Sequence, residues 1–174
     1  MSDQRRYQFS WDLLGDLTLG RPNLGRYTRL EIYRLMQFAL RDVVEQYLGT
    51  QKTDQLFYEA GQVAGRAFYE HMLPHCDDLQ EFVRQLQVAL REMGVGVLRV
   101  EQADPNQGKF VLTVSEDLDC SGLPDLDYEI CHFDEGFIAA LMESFTGQPF
   151  RVKEIDCWCT GDRTCRFVAE AAPA

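Results

Sequence analysis

The sequence contains no apolar run approaching the roughly 20 residues that span a bilayer. Its opening, Met1–Ser10, is polar and lacks the apolar core of a secretion signal. Basic residues are scarce: 17 Lys and Arg stand against 28 Asp and Glu, a formal charge of −11. Apart from Arg5-Arg6 they are scattered. A field of that sign repels phosphate backbones and anionic lipid, so neither nucleic acid nor a membrane surface is an expected partner. No G-x-G-x-x-G follows an apolar strand, and no Ser–His–Asp or paired-carboxylate pattern is present. A hydride-binding site or a hydrolytic centre therefore has no sequence support. Internal repeats and linkers are also missing.

What remains describes a cytoplasmic globular protein. A chain of 174 residues with 45% apolar content can bury a core without disulfides. We read 1–174 as one domain, with an arm over 1–26, a helical part over 27–94, and a sheet, helix and hairpin over 95–168. The arm mixes apolar residues with Gly15, Gly20 and Pro22 and reads as irregular or weakly extended. Apolar stripes then predict helices over Tyr27–Leu48, stopped by Gly49, and over Asp54–Leu73, capped by Thr53 or Asp54 and ended by Pro74. Gly61 and Gly65 in the second helix invite close backbone approach, inside the subunit in preference to across a dimer seam. Asp77-Asp78 opens a third helix that Gly94 closes. The period then changes to that of strands over Val95–Val100 and Phe110–Val114, joined by a turn at Ala103–Gly108. An acidic loop, Glu116–Asp127, precedes a fourth helix over His132–Thr146. Strands over Phe150–Cys159 and Thr164–Val168 finish the chain. This order predicts an α+β fold, an antiparallel sheet with helices packed on one face.

The chain holds six cysteines, Cys76, Cys120, Cys131, Cys157, Cys159 and Cys165. In a cytosol that keeps thiols reduced, metal binding or plain burial is expected over disulfides. A three-residue loop at Thr160–Asp162 would place Cys157 across the ladder from Cys165, near enough for two thiolates to share a tetrahedral ion. Cys131, at a helix start, could supply a third ligand. Cys159 reads as a buried or idle thiol, and nothing near Cys120 marks it as activated. His71, His75 and Cys76 approach the spacing of a second metal site, but Pro74 interrupts it, so surface or capping roles are expected. His132 reads as a neighbour of the site, not a ligand.

Cys131, the helix Phe137–Gly147, Glu154-x-x-Cys157, Gly161 and Cys165-Arg166-Phe167 together resemble the signature of the 4-vinyl reductase (4VR) domain family. The resemblance extends more weakly to Leu24–Leu48 through Leu24-Gly25 and Tyr33-Arg34-Leu35. That family includes sensor domains of activators responding to phenol, toluene and xylene, and it is related to TRAPP-type tethering subunits. The resemblance implies a zinc ion held by Cys131, Glu154, Cys157 and Cys165, closing the C-terminal hairpin, and a protein that is often a homodimer. Glu154 and Cys157 differ by an odd offset, so the strand needs a bulge near Ile155-Asp156 to aim both inward. Lys153, Arg163 or Arg166 would offset the site's negative charge. An iron–sulfur cluster is the lesser alternative, since a Glu ligand is unusual there.

The resemblance also implies an apolar cavity for a small hydrophobic or aromatic molecule, with Phe82, Phe110, Phe137 and Trp158 as candidate lining residues. Phe110 falls where phenol sensors carry a Trp, which implies a less polar ligand or none. A binding module that signals through another protein is thus the leading expectation. A reductase acting on tetrapyrrole vinyl groups and a ligand-free, tethering-like scaffold are the alternatives.

Overall fold

The computed structural model describes residues 6–75 and 77–172. Among them are five helices, α1 (Leu17–Gly20), α2 (Leu30–Leu48), α3 (Thr50–Met72), α4 (Leu79–Glu92) and α5 (His132–Thr146). Four strands, β1 (Val97–Asp104), β2 (Lys109–Ser115), β3 (Phe150–Asp156) and β4 (Cys165–Ala171), form one antiparallel sheet in the order β1-β2-β4-β3. The protein is α+β, as the sequence pattern implies. No helix among the described residues is long and apolar enough to cross a membrane.

One sheet face carries the core. Leu98, Val114 and Cys165 are neighbours across three strands, as are Leu112, Phe167 and Glu154, and all six are buried. Period-2 alternation puts their chain neighbours, such as exposed Arg151 and Lys153, on the other face. Helices α4 and α5 pack on this sheet, and Phe82 of α4 stacks on Phe145 of α5 at 4.4 Å between centroids.

The tightest joint in the molecule is α3 against α5. A β-carbon placed on Gly61 would stand 2.0 Å from the Phe133 carbonyl oxygen, and one on Gly136 would stand 1.9 Å from that of Tyr58. Only glycine permits backbones this close, so Gly61 and Gly65 serve packing within the subunit. This joint fixes where the N-terminus of α5 lies, and so where Cys131 lies.

Three local features differ from the sequence expectation. The arm is not extended: Trp11–Leu14 forms a 3-10 turn, and Asp16 caps α1 by accepting from the amides of Thr18 and Leu19. Helix α3 starts at Thr50, because Gly49, at φ 76°, both ends α2 and turns the chain directly into the next helix. Asp54 therefore does not cap but pairs with buried Arg41, whose guanidinium also lies over the Phe57 ring. Strand β1 runs on to Asp104 through a register shift between Val100 and Gln102, so the turn shortens to four residues, 105–108.

Candidate metal centre and adjoining pocket

Three chain segments meet at the buried edge of the sheet, each bringing sulfur. The first is the loop after β2. Asp117 Oδ1 accepts from the amides of Asp119 (2.8 Å) and Cys120 (3.0 Å), a local turn of the kind aspartate favours. Helix α2 clamps this turn from outside. Arg34 donates to the carbonyls of Leu118 and Ser121, both at 2.9 Å, while Tyr33 (2.6 Å) and Gln37 (2.9 Å) donate to the two oxygens of Asp119. Cys120 is thereby held inward, fully buried.

The second segment is the start of α5, where Cys131 occupies the N-cap position. The third is the connection from β3 to β4. Its register shifts between Glu154 and Asp156, the bulge that the odd offset required. As a result Glu154 (1% exposed) and Cys157 (0%) both face inward, while Ile155 between them is 51% exposed. The expected ladder pairing of Cys157 with Cys165 does not form. The last β3–β4 pair is Asp156 with Arg166, Cys165 stands opposite Val114 of β2, and Trp158–Thr160 is a 3-10 turn. The turn folds Cys157 back, its carbonyl accepting from the amides of Thr160 and Asp162 at 3.1 Å. The two sulfurs are brought together by a loop and not by strand register.

The sulfurs of Cys120, Cys131, Cys157 and Cys165 all lie within 4.8 Å of one another. Cys131 Sγ is 3.9 Å from both Cys157 Sγ and Cys165 Sγ, and Cys120 Sγ is 3.0 Å from Cys165 Sγ. Four sulfurs around zinc at bonds near 2.3 Å would be about 3.8 Å apart at tetrahedral angles. The arrangement can hold a metal ion. Cys120, which sequence reasoning set aside, is part of it; its only sequence signal was the turn-forming Asp three residues earlier.

Glu154 stands beside the cluster, with both carboxylate oxygens buried and without a hydrogen-bond partner among the described residues. Burial, then the charge of Cys157, pushes its carboxyl up to about 9. The Cys157 thiol is driven down because Cys120, Cys131 and Cys165 point toward it, whereas Cys131 and Cys165 are driven up. Without a cation the four sulfurs share about one negative charge; a divalent ion would take all four as thiolates. Cys159 is buried outside the cluster, and its thiol is pushed up to about 12 by burial.

The expected basic neighbours are engaged elsewhere. Lys153 pairs with Glu135 (3.0 Å), Arg163 lies over the Trp158 ring, and Arg166 pairs with Glu101 and Asp156. Glu135 also accepts from the Glu154 amide at 2.8 Å, tying α5 to the bulge. His132 lies near Asp54, His71 stacks on Trp11, and His75 lies against Asp77; Cys76 is outside the described residues.

Against this cluster lies a cavity of about 50 Å³ between α4, α5 and the sheet. Phe82, Leu86, Leu112, Phe137, Leu141 and Met142 contribute to an almost wholly apolar wall. Of the four aromatic residues proposed from sequence, Phe82 and Phe137 line it. Phe110 packs on Phe150 beneath the sheet edge, and Trp158 donates to the Leu123 carbonyl at 2.9 Å. The cavity's polar end is Asp117 and Asp134, whose oxygens lie within 4.8 Å of each other and of Cys131 Sγ. Burial, then the charge of Asp119, pushes the Asp117 carboxyl up to about 7; burial, then the charges of Asp117 and Asp119, also raises Asp134.

Known proteins share this geometry. The chain is 24% identical over 144 residues to uncharacterised protein MJ1642 of Methanocaldococcus jannaschii, covering 83% of this chain and 78% of that one. Its fold is similar to the phenol-responsive sensory domain of the transcription activator PoxR, solved with phenol (TM-score 0.63, 15% identity, 85% and 78% of the two chains). It is also similar to a vinyl-4-reductase family protein of M. jannaschii (TM-score 0.59, 17% identity, 86% and 85%). A trafficking protein particle complex subunit 3 from Naegleria fowleri, covalently bound to palmitic acid, shares the fold too (TM-score 0.63, 13% identity, 83% and 95%). Residues 110–171, which carry Cys120, Cys131, Glu154, Cys157 and Cys165, match the vinyl-4-reductase (V-4-R) domain model, and on that match this part of the chain belongs to the vinyl-4-reductase domain family.

Proposed function

We propose that this chain is a cytoplasmic small-molecule sensor in which a structural zinc ion couples an apolar pocket to the C-terminal hairpin. The carrying observation is that pocket and sulfur cluster share two short segments. Asp117 and Cys120 are three residues apart on one loop, and Cys131 and Asp134 are one helical turn apart on α5; each pair has one member in the pocket wall and one in the cluster. Whatever displaces Asp117 or Asp134 displaces the metal's ligands. Cys131, Cys157 and Cys165 are three of the ligands. For the fourth, the sulfur spacing supports Cys120 over the Glu154 suggested by the family signature, leaving Glu154 beside the ion. Four protein ligands close the coordination sphere, so the ion's role is to hold structure and not to activate water.

A cavity of about 50 Å³ is smaller than the roughly 150 Å³ that accommodates benzene in a protein core. An aromatic ligand therefore enters only as side chains such as Met142 and Phe137 move, and binding is linked to a change of shape. A homodimer is supported by the exposed apolar row on α2, with Leu35 66%, Met36 70%, Leu40 60% and Tyr47 83% exposed. Light scattering is expected to give twice the chain mass, reduced to one in Leu40→Glu. Ligand-induced movement then passes to a further, unidentified protein.

The test is thermal melting against a panel of small hydrophobic and aromatic compounds. A ligand present at 100 times its Kd adds about 2.7 kcal/mol, or a rise of about 5–10 °C in a domain of this size. A broad panel with no shift would instead favour a ligand-free scaffold.

A further inference from the structure

We infer that the pocket selects molecules that end in a primary amine, with the ammonium group held by Asp117 and Asp134 and the carbon skeleton in the apolar cavity. This rests on the pocket being a ligand site, and it specifies which ligand.

Three acceptor atoms converge at one end of an otherwise apolar space: a carboxylate oxygen of Asp117, one of Asp134, and Cys131 Sγ, all within 4.8 Å of one another. Asp117 is 4% exposed, and one of its oxygens is already used by the amides of Asp119 and Cys120. Asp134 Oδ2 is shut off from solvent and accepts no hydrogen bond from any described residue. A buried acceptor without a donor is costly, and a ligand that donates there gains what the protein alone forgoes. A primary ammonium offers three N–H donors from one atom and no acceptor, which suits three converging acceptors.

The wall excludes competing chemistry. Among the described residues, every other one lining the cavity is apolar, and no cationic side chain lines it. A carboxylate or phenolate would meet only like charge and lone pairs. A hydroxyl would donate one bond but also present lone pairs to carboxylates. The rest of the ligand would lie along Leu86, Phe137, Leu141 and Met142, so size is limited by how far those side chains yield.

Isothermal titration of the metal-loaded full chain at neutral pH, with butylamine and benzylamine each against its matching alcohol and carboxylate, and with toluene, tests the inference. The amines are expected to bind at least tenfold more tightly than their alcohols, with no binding of the carboxylates. Asp134→Asn, which keeps the shape, is expected to abolish that preference while leaving metal content and toluene binding unchanged. Toluene or the alcohols binding as well as the amines would overturn the amine selectivity and leave the pocket standing. No member of the series binding would overturn both. A second equivalent of zinc or manganese that disappears in Asp134→Asn would also overturn it, by assigning the carboxylates to a metal.

Discussion

Cys131→Ser is expected to lose its metal and to melt about 5–10 °C below the parent protein. Cys131 is central to the sulfur cluster, 3.9 Å from both Cys157 and Cys165, and it sits where α5 begins. Even residues that merely orient a ligand typically cost 10–100-fold in metal affinity, so removing a ligand should cost at least about 100-fold. At saturating metal that is about 2.7 kcal/mol of linked stability, and a domain of this size moves about 2–4 °C per kcal/mol. Chelated parent protein supplies the control. If metal loss is the cause, parent and variant melt together once both are metal-free; a gap that persists would trace the loss to the buried hydroxyl. The fourth ligand is separable in the same way. Cys120→Ser is expected to release metal and Glu154→Gln to retain it, and the reverse pattern would put an oxygen in the coordination sphere.

Gly136→Ala is expected to destabilise the fold by about 2–4 kcal/mol, although the same change in an ordinary helix interior stabilises by about 1 kcal/mol. The contact decides the sign. A β-carbon at Gly136 would lie 1.9 Å from the Tyr58 carbonyl oxygen, an atom of α3 backbone that cannot rotate away. The two helices would have to separate along their whole crossing, and α5 would carry Cys131 and Glu135 with it. Melting should fall by about 5–15 °C, with weakened metal retention as a second sign. Gly20, with nothing near its β-carbon position, is the comparison: Gly20→Ala should be close to neutral. A Gly136→Ala protein as stable as the parent would mean that α3 and α5 do not cross this closely.

These two effects show which parts of the molecule were legible in the sequence. Helix α5 has the bounds its apolar spacing implied, His132–Thr146, with Gly147 taking the left-handed turn at φ 73°. The antiparallel sheet followed from period-2 runs, and the bulge after Glu154 followed from the odd offset to Cys157. These are local rules, and local sequence contains them.

Cys120 was not legible, because its position depends on contacts from far along the chain. Tyr33 reaches Asp119 across 86 residues, and Arg34 reaches Leu118 across 84. A loop clamped by a distant helix carries no periodic signature of its own. The same holds for Cys157: hairpin rules predict strand register, but the 3-10 turn at Trp158–Thr160 folds the chain out of the ladder. The start of α3 was masked by Gly49, which reads as an end and is also a beginning. Phe110 and Trp158 are aromatic like Phe82 and Phe137, yet only the fold separates residues that wall the cavity from those that pack elsewhere.

Metal analysis with X-ray absorption, on protein purified without added metal, bears on the sulfur cluster itself. One zinc per chain is expected, surrounded by sulfur at about 2.3 Å. Folded protein carrying less than about a tenth of an equivalent would contradict a structural ion, since such sites keep their metal as part of folding.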